Sequence, residues 1–102
     1  MPAFVLTKKA LSDLIEIGRY TKKRWGTEQR NTYLSLLDDC FQQLAINPLK
    51  GKDCSEIRSG YRKMNIGSHI VFYRQKRSDE IEIVRILHCR MDFEARFSSD
   101  QN

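Results

Sequence analysis

The stretch GYRKMNIGSHIVFYRQKR, Gly60 to Arg77, decides the fold. Two runs, Tyr61 to Ile66 and His69 to Lys76, flank Gly67-Ser68 and read as a β-hairpin. The core of the second run, HIVFY, does not alternate apolar with polar. Ile70 and Phe72 point one way, and His69, Val71 and Tyr73 point the other. A strand apolar on both faces is normally buried on both. From Ile57 to Arg77 there is no Asp or Glu, yet Arg58, Arg62, Lys63, Arg74, Lys76 and Arg77 all fall there. Such a segment attracts an acidic partner, a protein or a phosphate chain.

Downstream, Ser78-Asp79 turns the chain into EIEIVRILH, Glu80 to His88, a further strand. Upstream, Ile57-Arg58 reads as a short extended piece before Ser59-Gly60. The polar loop PLKGKDCSE (Pro48–Glu56) separates the strands from a helical region. AFVLT (Ala3–Thr7) reads as a short strand, Thr7 as a helix N-cap, and Leu6 as a staple onto Leu11. Leu11, Leu14, Ile15 and Gly18 recur at helical spacing, with Trp25 on the same stripe. Gly26 ends that helix and Thr27 caps the next. Tyr33, Leu37, Cys40, Phe41 and Leu44 form the second helix's apolar face, and Asn47-Pro48 ends it. So short a link makes the helices an antiparallel hairpin. The fold class is α+β: an N-terminal short strand, then a helical hairpin packed on one face of a small twisted antiparallel sheet. The helices cover one face only. The other, around Ile70, Phe72, Val84 and Ile86, awaits the C-terminal tail or a partner, since each large side chain left wet forfeits ~1.5–3 kcal/mol.

At 102 residues, 40% apolar and 30% charged, with a formal charge of +5, this is one domain. Its expected extent is 1–97, with 98–102 a mobile tail. No run approaches the ~20 apolar residues of a membrane span, and MPAFVLTKK is no signal peptide; the expected location is cytoplasmic. Cys40, Cys54 and Cys89 lack CxxC spacing and have only His69 and His88 beside them, a poor zinc set. Cys40 reads as core and the other two as incidental thiols. No cofactor is expected.

The ordered set YTKKRWG, NPLKG, GYRK…GSHIVFYR and RILHCRMD resembles the ParE branch of the RelE/ParE toxins of bacterial type II toxin–antitoxin systems, over roughly Ala3 to Asp92. The resemblance implies the fold just described and a co-encoded ParD-like antitoxin of the ribbon-helix-helix type. That antitoxin would lay an acidic and apolar segment over Arg58, Arg62, Ile70, Phe72, Arg74, Val84, Ile86 and Arg90. The resemblance also implies poisoning of DNA gyrase, with the A subunit as the expected contact and the contacting surface unassigned. The alternative is a RelE-like ribosome-dependent mRNA endonuclease using Lys63, His88 and Arg90.

RNA cleavage needs a base, an acid and cations for the phosphorane charge. Arg62 and Lys63 could supply the basic strand, and Arg90 matches the C-terminal arginine of such enzymes. Their middle-strand arginine falls here at Ile70, and their C-terminal tyrosine is replaced by Ala95–Phe97. Either loss commonly costs ~100–1,000-fold, which favours the gyrase reading. His69 reads as a hydrogen-bonded structural histidine. His88 is open between a structural, a partner-contact and an acid–base role. Arg58, Arg62, Arg74 and Arg85 are open between a solvated edge, antitoxin carboxylates and nucleic acid. No aromatic-interleaved RNA platform is visible, so direct nucleic-acid binding is not expected outside a gyrase–DNA complex. Trp25 reads as core, otherwise as an exposed anchor.

Overall fold

A computed structural model describes residues 3–90. The elements in chain order are β1 (Ala3–Leu6), α1 (Lys8–Trp25), α2 (Thr27–Ile46), β2 (Lys52–Asp53), β3 (Tyr61–Ile66), β4 (His69–Arg77) and β5 (Glu80–His88). They form one five-stranded sheet in the order β1-β5-β4-β3-β2, with the helical hairpin on one face. The α+β reading is correct, with two amendments. β1 lies parallel to β5 at the sheet's edge, Phe4 beside Ile81 and Leu6 beside Ile83. And the strand before the hairpin is Lys52–Asp53, paired with Lys63 and Arg62; Ile57 and Arg58 lie in a turn. The domain end at 97, the tail 98–102 and the Ala95–Phe97 substitution lie outside the described residues.

Local chemistry accounts for the joints. Thr7 caps α1, its Oγ1 accepting the Ala10 N–H at 3.0 Å. Gly26, at φ +99°, closes α1 through its own N–H to the Lys22 carbonyl and is itself the N-cap of α2, so Thr27 is the first helical residue and not the cap. Lys22, Lys23 and Arg24 occupy the last turn of α1, where cations suit the helix dipole. Gly67, at φ +55°, turns the β3–β4 hairpin; a Cβ there would strike the Tyr33 ring.

The buried stripe of α1 is only in part the one the sequence spacing suggested. Gly18 is buried and Leu14 packs against the core as read, joined by Ala10, Ile17 and Thr21, while Leu11, Ile15 and Trp25 are half to two-thirds exposed. Small residues win because they let the helices approach: a Cβ on Gly18 would meet Leu34 at 3.4 Å. The face of α2 is as read, with Leu37, Phe41 and Leu44 buried and Tyr33 and Cys40 packed beside them.

Two apolar clusters follow from strand alternation. On the helical face, Val71, Tyr73, Ile81, Ile83 and Ile86 meet α1 and α2. On the other face, Ile70, Phe72 and Leu87 pack with Tyr61 and Cys54, and with Ile57 and Val84 partly buried against them. This corrects the expectation of a bare second face: Ile70 is 7% and Phe72 0% exposed. Ile86 does not belong to that face at all. The β4–β5 register passes from Phe72↔Arg85 to Tyr73↔Ile83, so Val84 is a bulge residue. The extra residue reverses the alternation and sends Ile86 under the helices.

Tyr73 ties the loop before β2 to the core. Its hydroxyl accepts the Gly51 N–H at 2.8 Å and donates to the Pro48 carbonyl at 2.7 Å. Gly51 leaves room for that hydroxyl; a Cβ would run into it and into the Lys63 carbonyl. Cys54 is the fully buried cysteine and Cys40 only partly so, the reverse of the sequence reading. Burial, with Glu56 nearby, pushes the Cys54 thiol up to about 11.

Candidate functional site

β1 ends opposite Ile83, which leaves the last half of β5 with an unpaired outer edge. Two side chains close it. Thr7 donates its N–H to the Ile83 carbonyl and its hydroxyl to the Val84 carbonyl. Asp13 then accepts the Ile86 N–H at 2.9 Å and grips Arg85 through Nε at 2.8 Å and Nη2 at 2.9 Å. Arg85 is only 9% exposed. Its bidentate pair is therefore structural, and Arg85 leaves the set of open arginines.

The proposed antitoxin residues separate by face. Arg74, opposite Tyr61, stands on the non-helical face, exposed and paired with Glu82 at 2.8 Å. Arg58 is half-buried, its guanidinium 5.8 Å from the centre of the Tyr61 ring. Arg58, Tyr61 and half-buried Val84 line a cleft of about 280 Å³ with Thr7, Lys8, Lys9 and Arg85. Arg62, opposite Tyr73, turns to the helical side and donates to the Gly51 carbonyl at 2.7 Å. Arg90 is exposed beyond the end of β5. Arg58, Arg74 and Val84 thus share one face, with Glu82 beside Arg74, while Ile70 and Phe72 lie beneath it and Ile86 lies on the other side.

The nuclease trio is not assembled. Lys63 pairs with Phe72 and shares its non-helical face. His88 pairs with His69, which shares the face of Val71 and meets Tyr33 of α2. Lys63 and His88 therefore point from opposite sides of the sheet.

The histidines meet where the sheet ends under the helical hairpin. Their rings stand edge to face, centroids 5.5 Å apart. Tyr33 Oη lies 2.7 Å from His69 Nδ1 and accepts the Ser68 N–H at 3.1 Å. His69 is thus the hydrogen-bonded structural residue the sequence suggested. Burial, and then His88 beside it, lower its pKa below 6.5, with Asp13 opposing. The unfolded chain binds that proton more readily. The stability His69 contributes is therefore fully present above about pH 6.5 and is lost as pH falls through the folded value. A His69→Gln variant should show a shallower loss of Tm between pH 7 and 5 than the parent; an unchanged slope would refute this. Around the pair lies a cleft of about 620 Å³, lined by Glu16, Ile17, Tyr20, Thr21, Arg24, Trp25, Gln29, Tyr33, Ser68, His69 and His88. Sequence spacing missed it, because its walls come from three distant parts of the chain. The exposed Tyr20 and Trp25, five apart near the end of one helix, were the available signal.

Among the described residues no helix is long and apolar enough to cross a membrane. Nor is there, among them, a group of three or more His, Cys, Asp or Glu placed to hold a metal ion.

Comparison with known proteins places these features. A family model described as the ParE toxin of type II toxin–antitoxin systems, parDE, matches residues 4–93. A ParE1 toxin of Mycobacterium tuberculosis is 44% identical over 89 residues, 87% of this chain and 91% of that protein. A ParE1 toxin of Caulobacter vibrioides is 37% identical over 95 residues, 93% and 97% of the two chains. Among solved structures, a chain of the chromosomal ParDE system of P. aeruginosa superposes with TM-score 0.71 at 21% identity, covering 86% of this chain and 95% of that one. A chain of the RelBE2 complex of Mycobacterium tuberculosis gives 0.62 at 20% identity, covering 86% and 99%. The two structures show the shared fold.

Proposed function

The chain belongs to the ParE toxin family of type II toxin–antitoxin systems, and on that premise we propose that it poisons DNA gyrase and is silenced by a ParD-like antitoxin. The observation that carries the non-catalytic reading is the split of Lys63 from His88 across the sheet. A general base and a general acid must both reach one phosphodiester, within about 3 Å of the atoms they serve. Side chains on opposite faces do not. Poisoning requires only that the folded surface bind gyrase, with the A subunit the expected contact, and disturb the balance of cleavage and religation.

The antitoxin reading rests on the non-helical face. Arg58, Arg74 and Val84, together with Lys8 and Lys9 along the neighbouring cleft, offer cations around a small apolar patch. An acidic segment bearing an apolar side chain matches that pattern, with bidentate carboxylates on the arginines. Ile70 and Phe72 would act as the packed floor of the contact. Arg90 extends the same charge beyond β5, and Arg62 reinforces the fold beside it.

Induction without antitoxin should stop DNA synthesis before protein synthesis, as measured by pulse labelling. The Lys63→Ala, His88→Ala double variant should remain as toxic as the parent. Codon-phased mRNA cuts that this variant abolishes would replace the proposal with the endonuclease. Normal growth of the host on induction would leave an inert family member.

A further inference from the structure

We propose that the cleft between the helical hairpin and the β4–β5 end is a binding site for a short stretch of single-stranded nucleic acid. This goes beyond gyrase poisoning, which requires no contact between the toxin and a nucleic acid.

Three observations bear on it. First, the walls are rich in rings. Trp25 and Tyr20 are 65% and 63% exposed, and Tyr33, His69 and His88 stand in the same lining among Glu16, Thr21, Arg24, Gln29 and Ser68. Among the described residues, the cleft's one aliphatic wall residue is Ile17. The rings offer flat faces, which every base can stack on.

Second, the charge suits a phosphate chain. Arg24 lies over the Trp25 indole, 5.5 Å from its centre, which puts ring and cation side by side at this end of α1. Arg19, Lys22 and Lys23 share the same end of α1, and Arg90 follows His88. Among the described residues, Glu16 lines the cleft and is paired with Arg19, Glu28 lies in the first turn of α2, and Asp13 acts on His69.

Third, His88 presents a donor. The Arg90 N–H donates to His88 Nδ1 at 3.2 Å, so neutral His88 carries its proton on Nε2. Tyr33 Oη lies 2.7 Å from His69 Nδ1 and donates within 3.3 Å of the Ile66 carbonyl, and which partner carries the proton of the first contact follows the His69 tautomer. His69, His88 and Ser68 line the cleft beside Arg24. Arg24 and these side chains can meet phosphate or base acceptors, with the Glu16 carboxylate in the same lining. The volume, about 620 Å³, is of the size that small ligands occupy.

Trp25 is the single tryptophan of the chain, so its fluorescence reports the site directly. The full chain is titrated at low salt with an oligothymidylate of about eight nucleotides, and separately with polyglutamate. The oligothymidylate should quench Trp25 to saturation, with affinity falling as salt rises. Tyr20→Ala and Arg24→Ala should each weaken binding by about tenfold while circular dichroism stays unchanged, since a stacked ring commonly carries that much. In an anisotropy format with labelled oligonucleotide, Trp25→Ala should do the same. No quenching up to ~100 µM oligonucleotide, binding that both Tyr20→Ala and Arg24→Ala leave unchanged, or tighter binding of polyglutamate would each overturn the proposal. The titration contains no gyrase, so its failure and a failure of the gyrase reading are separate results.

Discussion

Asp13→Ala should unfold at a Tm lower by more than about 10 °C, and in denaturant should lose ~3–5 kcal/mol. One carboxylate does three things: it accepts two bonds from Arg85 and one from the Ile86 N–H. Both side chains of the pair are largely buried, 10% and 15% exposed. Removing the carboxylate takes a bidentate countercharge from a largely buried guanidinium and the acceptor from a strand-edge N–H. Domains of this kind are stable by ~5–15 kcal/mol in total, so the loss is a large share. Asp13→Asn keeps an acceptor for Ile86 and should fall between parent and Ala. Arg85→Met with Asp13→Leu should recover much of the stability, because a packed apolar pair often replaces a buried ion pair without loss. Chemical denaturation of the four proteins checks the series. An Asp13→Ala variant within ~1 kcal/mol of the parent would mean that the pair contributes little.

Reversing both charges with Arg58→Glu and Arg74→Glu should weaken antitoxin binding by at least about 100-fold. Each substitution deletes a cation from the non-helical face and puts a like charge against an acidic segment, which costs several kcal/mol in a close contact. Arg74→Glu also sets two carboxylates side by side, since Glu82 is Arg74's present partner at 2.8 Å. That crowding is partly exposed and screened, so the fold should persist. Toxicity should persist too, and the co-expressed antitoxin should no longer rescue growth. Calorimetric titration of purified antitoxin into both toxins gives the number. Unaltered affinity would move the antitoxin to another surface.

How much of this was legible before the structure depends on the residue. The Gly67-Ser68 hairpin, Thr7 as a cap, and the Leu37, Phe41 and Leu44 face of α2 follow from local chemistry and were readable. The buried stripe of α1 was readable only in part. That helix carries Leu11, Leu14, Ile15 and Ile17 over a band nearly half its circumference, wider than one core-facing stripe, so periodicity could not fix the stripe's centre. The choice fell to Ala10, Gly18 and Thr21, whose small size lets α1 settle against α2 and the sheet. Asp13 lies within that same stripe, and a carboxylate there foretells a buried partner only once the stripe is known. The parallel β1–β5 pairing joins residues nearly eighty positions apart and has no local signature. Ile86 was placed on the wrong face because a strict alternation of two was carried through Val84, where the bulge breaks it. Lys63 and His88 looked like neighbours in a nuclease for a related reason: sequence order does not state which face of the sheet each side chain leaves from. The rings of the cleft were each visible, but their meeting depends on how the hairpin end docks over His69 and His88.

Purified gyrase, supercoiling a relaxed plasmid in the presence of micromolar toxin, tests the central claim most directly. Free toxin should inhibit supercoiling and accumulate linear, cleaved plasmid, and toxin preincubated with its antitoxin should leave the enzyme untouched. Undiminished supercoiling with no cleaved DNA, at toxin concentrations that arrest cells, would contradict it.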